Sequence, residues 1–172
     1  MKKLIVFLVV VLCFTSCFNN GKKEVIITND IIKSEICSTI DLWHKNAADA
    51  NFEAYFDTMT IESIFIGTDA DENWTFEEFK NFSKPFFKRG KTWNFTAVDR
   101  NVYIYSNAEI AWFDELLDTW MGVCRGSGVV KKVNGDWKIE HYVLSLTVPN
   151  ENINAVVKVN KARDSVFLSK LK

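Results

Sequence analysis

Two adjacent carboxylates, Asp114 and Glu115, lie inside an apolar run whose pattern predicts a β-strand. Because strand side chains alternate between the two faces of a sheet, one of these carboxylates must point to the concave side. Burial would raise its pKa toward that of a general base, whereas a nearby cation would keep it ionised. Arg125 on the next predicted strand is the expected cation. The group is interpreted either as a structural ion pair or as a ligand-recognition site.

Two histidines offer further chemistry: His44 on the predicted first helix and His141 on the predicted last strand. A lone histidine is most often structural, and neither has a Ser or Cys nucleophile at a recognisable spacing. Asp69, Asp71 and Asn73 imitate the start of a calcium loop, but its glycine and acidic twelfth position are missing. The sequence therefore predicts no metal site and no cofactor.

Aromatic side chains could supply an apolar binding surface. Composition alone does not separate rings that line a pocket from rings that fill a core, so both interpretations stay open. The candidates are Tyr55, Trp74, Trp93, Trp112 and Tyr142.

The first residues predict a bacterial lipoprotein signal. Lys2 and Lys3 precede an apolar stretch too short to span a bilayer, and small Thr15 and Ser16 precede Cys17. Cleavage before Cys17 would leave a lipid-modified cysteine that anchors the protein to a membrane of the cell envelope. An ordinary secretory signal with a coincidental cysteine is the alternative.

Composition and length limit which classes of protein this chain can belong to. The chain has 172 residues with 21 Lys plus Arg against 22 Asp plus Glu, so nothing indicates nucleic-acid binding. This length suits one domain with a sizeable core. Cys37 and Cys124 could form one disulfide in an oxidising compartment or remain unpaired.

The elements that must position these residues follow from periodicity. An apolar helical stripe predicts a long first helix, and Thr75 with Glu78 predicts a capping box for the third helix, which ends before Gly90. Residues 99–101 predict a bulge or turn. The buried stripe of the first helix is Ile32, Ile36, Ile40, Trp43 and Ala47. After Gly90 the pattern predicts a strand that carries Trp93, Phe95 and Ala97 on one face. The other predicted strands are residues 61–67, 102–105, 109–120, 123–133 and 137–148, with a hairpin turn at Asn134 and Gly135.

Several blocks in order resemble the SnoaL-like branch of the nuclear transport factor 2-like superfamily over roughly residues 30 to 152. They are residues 67–70 with 74–75 and 78–79, residues 84–87 with 89–91, residues 111–115, residues 125–129, and residues 137–139 followed by 144–145 and 148–150. The resemblance implies an α+β fold, a cone-shaped roll with three N-terminal helices packed on a curved antiparallel sheet. It also implies a central cavity and frequent dimerisation through the sheet. The fold serves isomerases, cyclases, dehydratases and non-enzymatic proteins, so it does not identify an activity.

These observations predict a signal peptide at residues 1–16, a tether at 17–28, the SnoaL-like domain at 29–150 and an amphipathic tail at 151–172. The expected function is to bind a small, largely apolar ligand in the cavity. The alternatives are an enzyme that uses the inward carboxylate as base, and a non-catalytic dimeric interaction module. The predicted ligand residues are His44, Tyr55, Trp74, Trp112, Asp114, Glu115 and Arg125.

Overall fold

The computed structural model describes residues 28–106 and 108–172. The predicted signal peptide, Cys17 and the tether up to residue 27 lie outside this range. Within it, no helix is both long enough and apolar enough to cross a membrane.

Helices precede and interrupt the first strands, and four long strands follow. The helices are α1 (Asn29–Ala48), α2 (Phe52–Asp57), α3 (Phe76–Lys88) and α4 (Ile153–Lys170), the last preceded by a 3-10 turn at Asn150–Asn152. The strands are β1 (Met59–Ile66), β2 (Asn73–Thr75), β3 (Thr96–Ile104), β4 (Ile110–Thr119), β5 (Gly122–Val133) and β6 (Asp136–Leu146).

The strands form one curved, unclosed sheet in the order β2-β1-β6-β5-β4-β3. The predicted α+β roll is therefore confirmed, but the prediction of a purely antiparallel sheet is wrong, because β1 pairs in parallel with β6. This pairing follows from the chain path. After α3 the chain re-enters at the far edge as β3, and three antiparallel connections bring β6 back beside β1.

The structure confirms the helix and turn predictions that rest on short sequence patterns. The predicted stripe of α1 is buried as expected, and the Thr28 side chain caps the helix by accepting a hydrogen bond from the Ile31 N–H. The capping box of α3 is present, with the Thr75 backbone N–H donating to Glu78 at 2.9 Å. Both residues of the predicted hairpin turn, Asn134 and Gly135, have positive φ.

The strand predicted to begin near Trp93 begins only at Thr96, since residues 91–95 form neither helix nor strand. The segment predicted as a bulge or turn at residues 99–101 lies inside the continuous strand β3. The register against β4 shifts between Ala97 and Asp99, so the irregularity falls before the predicted position. This shift places Arg100 directly opposite Glu115. Because cross-strand partners point to the same face of a sheet, the two side chains meet inside the roll.

Helix α4 has no buried residue. Its attachment to the domain includes Arg163, which donates to both carboxylate oxygens of Asp69 at 2.9 and 2.7 Å. Both cysteines in the described range, Cys37 and Cys124, are free, so the disulfide alternative is not realised in this structure.

Candidate functional site

Glu115 is the inward carboxylate of β4 and is 1% exposed. Four hydrogen bonds reach its two oxygens. His44 Nε2 and the Tyr142 hydroxyl donate to Oε1 at 2.8 and 2.9 Å. Arg100 Nε and Nη2 donate to Oε2 at 2.9 and 2.8 Å in a bidentate arrangement. The carboxylate is thus fully hydrogen-bonded in the interior.

Arg100 connects this network to α1. Its Nη1 donates to Asp41 Oδ1 at 2.7 Å and to the Cys37 carbonyl at 3.2 Å. The side chain of Arg100 is 8% exposed, so both of its carboxylate partners act on a largely desolvated cation. The network fixes α1 against β3 and β4.

The surroundings keep Glu115 ionised. Burial by itself raises the pKa of this carboxyl group, but the hydrogen bond and charge of His44 and the charge and hydrogen bonds of Arg100 outweigh burial and lower it. Burial, followed by the charge of Glu115, raises the pKa of the Tyr142 hydroxyl well above its ordinary value. An ionised carboxylate thus faces a protonated phenol, and Glu115 is poorly suited to remove a proton.

Gly126 provides the room that this network needs. It lies opposite Glu115 on β5. A Cβ atom at Gly126 would collide with the Tyr142 hydroxyl and would lie 2.9 Å from Glu115 Oε1. Any larger residue would therefore push the acceptor and its donor apart.

The expected pairing of a β4 carboxylate with Arg125 is wrong. Arg125 lies opposite Leu116 on β5 and is exposed, so it points to the outer face of the sheet. Asp114 also faces outward, where it accepts a hydrogen bond from Asn101 at 3.3 Å. Trp112 stacks on Tyr103 on the same outer face and is 46% exposed. The side chains of these three predicted ligand residues therefore lie on the face of the sheet opposite to Glu115.

An aromatic cavity of about 160 Å³ opens between α3, β1, the segment before β3 and the β4–β5 turn. Trp74 lines it and stacks on Phe82, with ring centroids 4.5 Å apart. Leu144 of β6 forms part of the wall, and Glu72 contributes a carboxylate to the lining. The other lining residues are Phe65, Gly67, Thr68, Phe79, Trp93, Phe95, Trp120 and Met121.

Tyr55 lies in the core and does not line this cavity. It is 1% exposed and stacks on Trp43 at 5.0 Å. Its hydroxyl has no hydrogen-bond partner in the described part of the chain, although the Trp93 ring lies edge-on with its centroid 5.8 Å away. Burial raises the pKa of this phenol well above its ordinary value. Two of the five aromatic candidates, Trp74 and Trp93, line the cavity.

His44 does not line the aromatic cavity either. It lines a separate polar groove between α1 and residues 94–97, together with Asp41, Lys45 and Asn94. The Phe95 ring packs edge-on to His44 at 6.2 Å and lines both the groove and the cavity. The residues described here include no group of three or more His, Cys, Asp or Glu side chains that could hold a metal ion.

Residues 36–149 match the family of SnoaL-like domains. The chain belongs to this family. No curated protein matches it. In this SnoaL-like domain the matched residues include all of β1 to β6, His44 and Glu115.

Solved structures show the same fold at low identity. A nuclear transport factor 2-like protein of unknown function from Pseudomonas putida KT2440 shares 12% identity, with a TM-score of 0.60 over 73% of this chain and 94% of that one. A suggested dehydratase of the nuclear transport factor 2-like family from Streptomyces avermitilis shares 11% identity, with a TM-score of 0.61 over 71% of this chain and 100% of that one. A domain of unknown function with a cystatin-like fold from Nostoc punctiforme shares 14% identity, with a TM-score of 0.61 over 84% of this chain and 96% of that one. Such identities show the fold alone.

Proposed function

We propose that this SnoaL-like domain binds a small, ring-containing apolar molecule in its aromatic cavity while a lipid on Cys17 holds it at an envelope membrane. The observation that carries the ligand proposal is the cavity of about 160 Å³ with its aromatic lining. A dry apolar cavity of about 150 Å³ is large enough for a benzene-sized molecule. Trp74, Phe79 and Phe82 present stacked rings, which favour a flat ligand.

The enzyme alternative with Glu115 as base has less support. Both carboxylate oxygens already accept hydrogen bonds, and the pKa of Glu115 is lowered rather than raised. A general base needs a free lone pair directed at the substrate and a pKa near the working pH. Glu115 serves better as the group that orients His44 and Arg100.

Binding is tested with N-phenyl-1-naphthylamine, an uncharged aromatic fluorophore that brightens in apolar surroundings. Replacing Leu144 with Trp puts a larger ring against the cavity, and we expect the fluorescence increase to be lost. Leu146→Trp is the matched control, since Leu146 is 50% exposed near the end of the same strand. Equal fluorophore binding by both folded variants would place the ligand elsewhere and contradict the proposal.

The anchor is tested separately in cells. We expect Cys17→Ser to abolish incorporation of labelled palmitate and to move the protein from the membrane fraction to the soluble fraction. Retention of the label in this variant would refute lipid attachment at Cys17.

We further propose that two copies associate through the outer face of the sheet. Trp112 and Tyr103 stack there at 5.8 Å while remaining 46% and 44% exposed. Exposed aromatic surface of this kind is typical of protein interfaces. Light scattering should show a dimer for the unchanged protein and a monomer for Trp112→Glu, and a monomer in both would contradict this part of the proposal.

A further inference from the structure

The aromatic cavity combines a ring-rich lining with the carboxylate of Glu72. Three of the six tryptophans of the chain line it, namely Trp74, Trp93 and Trp120. Among the described residues of this lining, none is Lys, Arg or His. The faces of aromatic rings carry partial negative charge and attract cations, and the indole ring does so most strongly. The rings and the carboxylate therefore favour the same kind of ligand group, a cation.

The loop between β1 and β2 holds the Glu72 carboxylate in place. The Gly67 N–H donates to the Glu72 carbonyl at 2.9 Å, and the Glu72 N–H donates to the Asp69 carbonyl at 2.9 Å. The Asp69 N–H in turn donates to Glu72 Oε2 at 3.1 Å. A Cβ atom at Gly67 would collide with this oxygen, so the glycine leaves the space that the carboxylate occupies. A ligand would therefore meet an acceptor that is already in position.

The two aspartates of the same loop face α4 instead. Asp69 accepts from Arg163 at 2.7 Å, and Asp71 lies 4.0 Å from the same guanidinium group. Glu72 pairs with no cation in the described part of the chain and is half-buried. A carboxylate that is partly removed from water interacts more strongly with a cation than a fully exposed one does. Glu72 is thus the carboxylate of this loop that is left for a ligand.

We propose that the aromatic cavity selects ring-containing ligands that carry an ammonium group, which the Glu72 carboxylate and the surrounding ring faces attract together. The apolar ring would fill the cavity, and the ammonium group would lie on the side formed by residues 67–72. Trp120 lines the cavity although it is 82% exposed, which puts its ring at the mouth. The inference rests on the proposed function and specifies the ligand class of that same site.

The ligand test compares benzylammonium chloride with benzyl alcohol at pH 7. The two molecules have the same ring and nearly the same size, but only the first carries a positive charge. Each competes with bound N-phenyl-1-naphthylamine. We expect benzylammonium to bind roughly threefold to thirtyfold more tightly, as a cation–π contact and a partly exposed ion pair together provide. Equal affinities of the unchanged protein for the two molecules would overturn the inference.

Glu72→Gln tests the carboxylate. The glutamine keeps the size of the side chain and an oxygen that can accept from the Asp69 N–H, so the change isolates the charge. It should reduce the preference for benzylammonium by about threefold or more. Asp71→Asn is the matched control, because it removes the same charge from the same loop at a position that faces α4, and it should leave the preference within about twofold. Equal preferences in the two variants would overturn the inference.

Trp120→Leu tests the rings independently of the loop. The indole is largely exposed, so its loss should leave the fold intact. We expect the ratio of the benzylammonium affinity to the benzyl alcohol affinity to fall about twofold to fivefold, as the loss of one cation–π contact predicts. A ratio equal to that of the unchanged protein would overturn the contribution of the rings, even if Glu72→Gln fails to fold.

The readouts separate the possible failures. If the fluorophore binds and both benzyl compounds displace it equally, the cavity function stands and the selection of ammonium ligands falls. If the fluorophore does not bind at all, the proposed function falls, and the inference falls with it.

Discussion

Replacing Glu115 with Gln tests whether the buried carboxylate organises the interior. The substitution keeps the size of the side chain but removes the charge that faces Arg100. The amide oxygen can still accept from Arg100 if its NH₂ group faces His44 and Tyr142, which can each switch to accepting. Geometry is thus largely retained, and the change isolates the loss of charge.

The expected loss of folding stability depends on which buried groups the substitution leaves without a partner. Removing one partner of a buried ion pair costs about 3–5 kcal/mol. Arg100 keeps its 2.7 Å contact with Asp41, and the glutamine keeps several hydrogen bonds, so we expect a loss of about 2–3 kcal/mol for Glu115→Gln. Glu115→Ala also leaves a cavity and should cost about 4–5 kcal/mol.

The pH dependence has a definite sign. The pKa of Glu115 is lowered in the folded protein, and a glutamate in the unfolded chain titrates at about pH 4.3. Its stabilisation is therefore present above that pH and is lost as the pH falls through the lower pKa of the folded state. The stability difference between the unchanged protein and Glu115→Gln should be largest near neutral pH and should shrink on acidification below about pH 4.

Urea unfolding followed by tryptophan fluorescence measures this difference at pH 7 and at pH 3.5. Asp114→Asn is the matched control, because this neighbouring carboxylate faces outward and should change the free energy of unfolding by less than about 0.5 kcal/mol. A Glu115→Gln protein as stable as this control at pH 7, or a difference at pH 3.5 as large as the difference at pH 7, would refute the reasoning.

Three further predictions concern other contacts. Gly126→Ala should destabilise the fold by about 1–3 kcal/mol in urea unfolding, because its methyl group would collide with the Tyr142 hydroxyl; unchanged stability would show that the sheet absorbs the methyl without cost. Thr75→Ala should cost about 1 kcal/mol through loss of the α3 cap, again by urea unfolding, and an unchanged midpoint would contradict this. Arg163→Gln should accelerate amide hydrogen exchange in α4 but not in β4, and exchange equal to that of the unchanged protein would show that Asp69 does not hold the helix.

Much of the fold was predictable because its signals are local. The apolar stripe of α1, the capping box at Thr75 and the turn at Asn134 depend on residues a few positions apart, and each is present as predicted. The ordered motifs also indicated the SnoaL-like family correctly. The parallel pairing of β1 with β6 was missed because their contact joins segments about 80 residues apart.

The site was predictable only in part. Alternation correctly required one inward carboxylate on β4, but the partner of Glu115 was misassigned to Arg125. Arg100 was missed because residues 99–101 were interpreted as a bulge or turn. A usable signal was present, since Arg100 lies two positions before Val102, which is buried, and would share its face in a continuous strand.

The sequence by itself determined the family, the main helices and strands, and the presence of one inward carboxylate, because periodicity, capping and turn residues act over short distances. Only the tertiary structure decided which cation meets Glu115, since the register of β3 on β4 depends on the shift between Ala97 and Asp99. It also decided which aromatic rings fill the core and which line the cavity. Tyr55 and Trp74 are alike in apolar character, and their packing partners in three dimensions are what separate them.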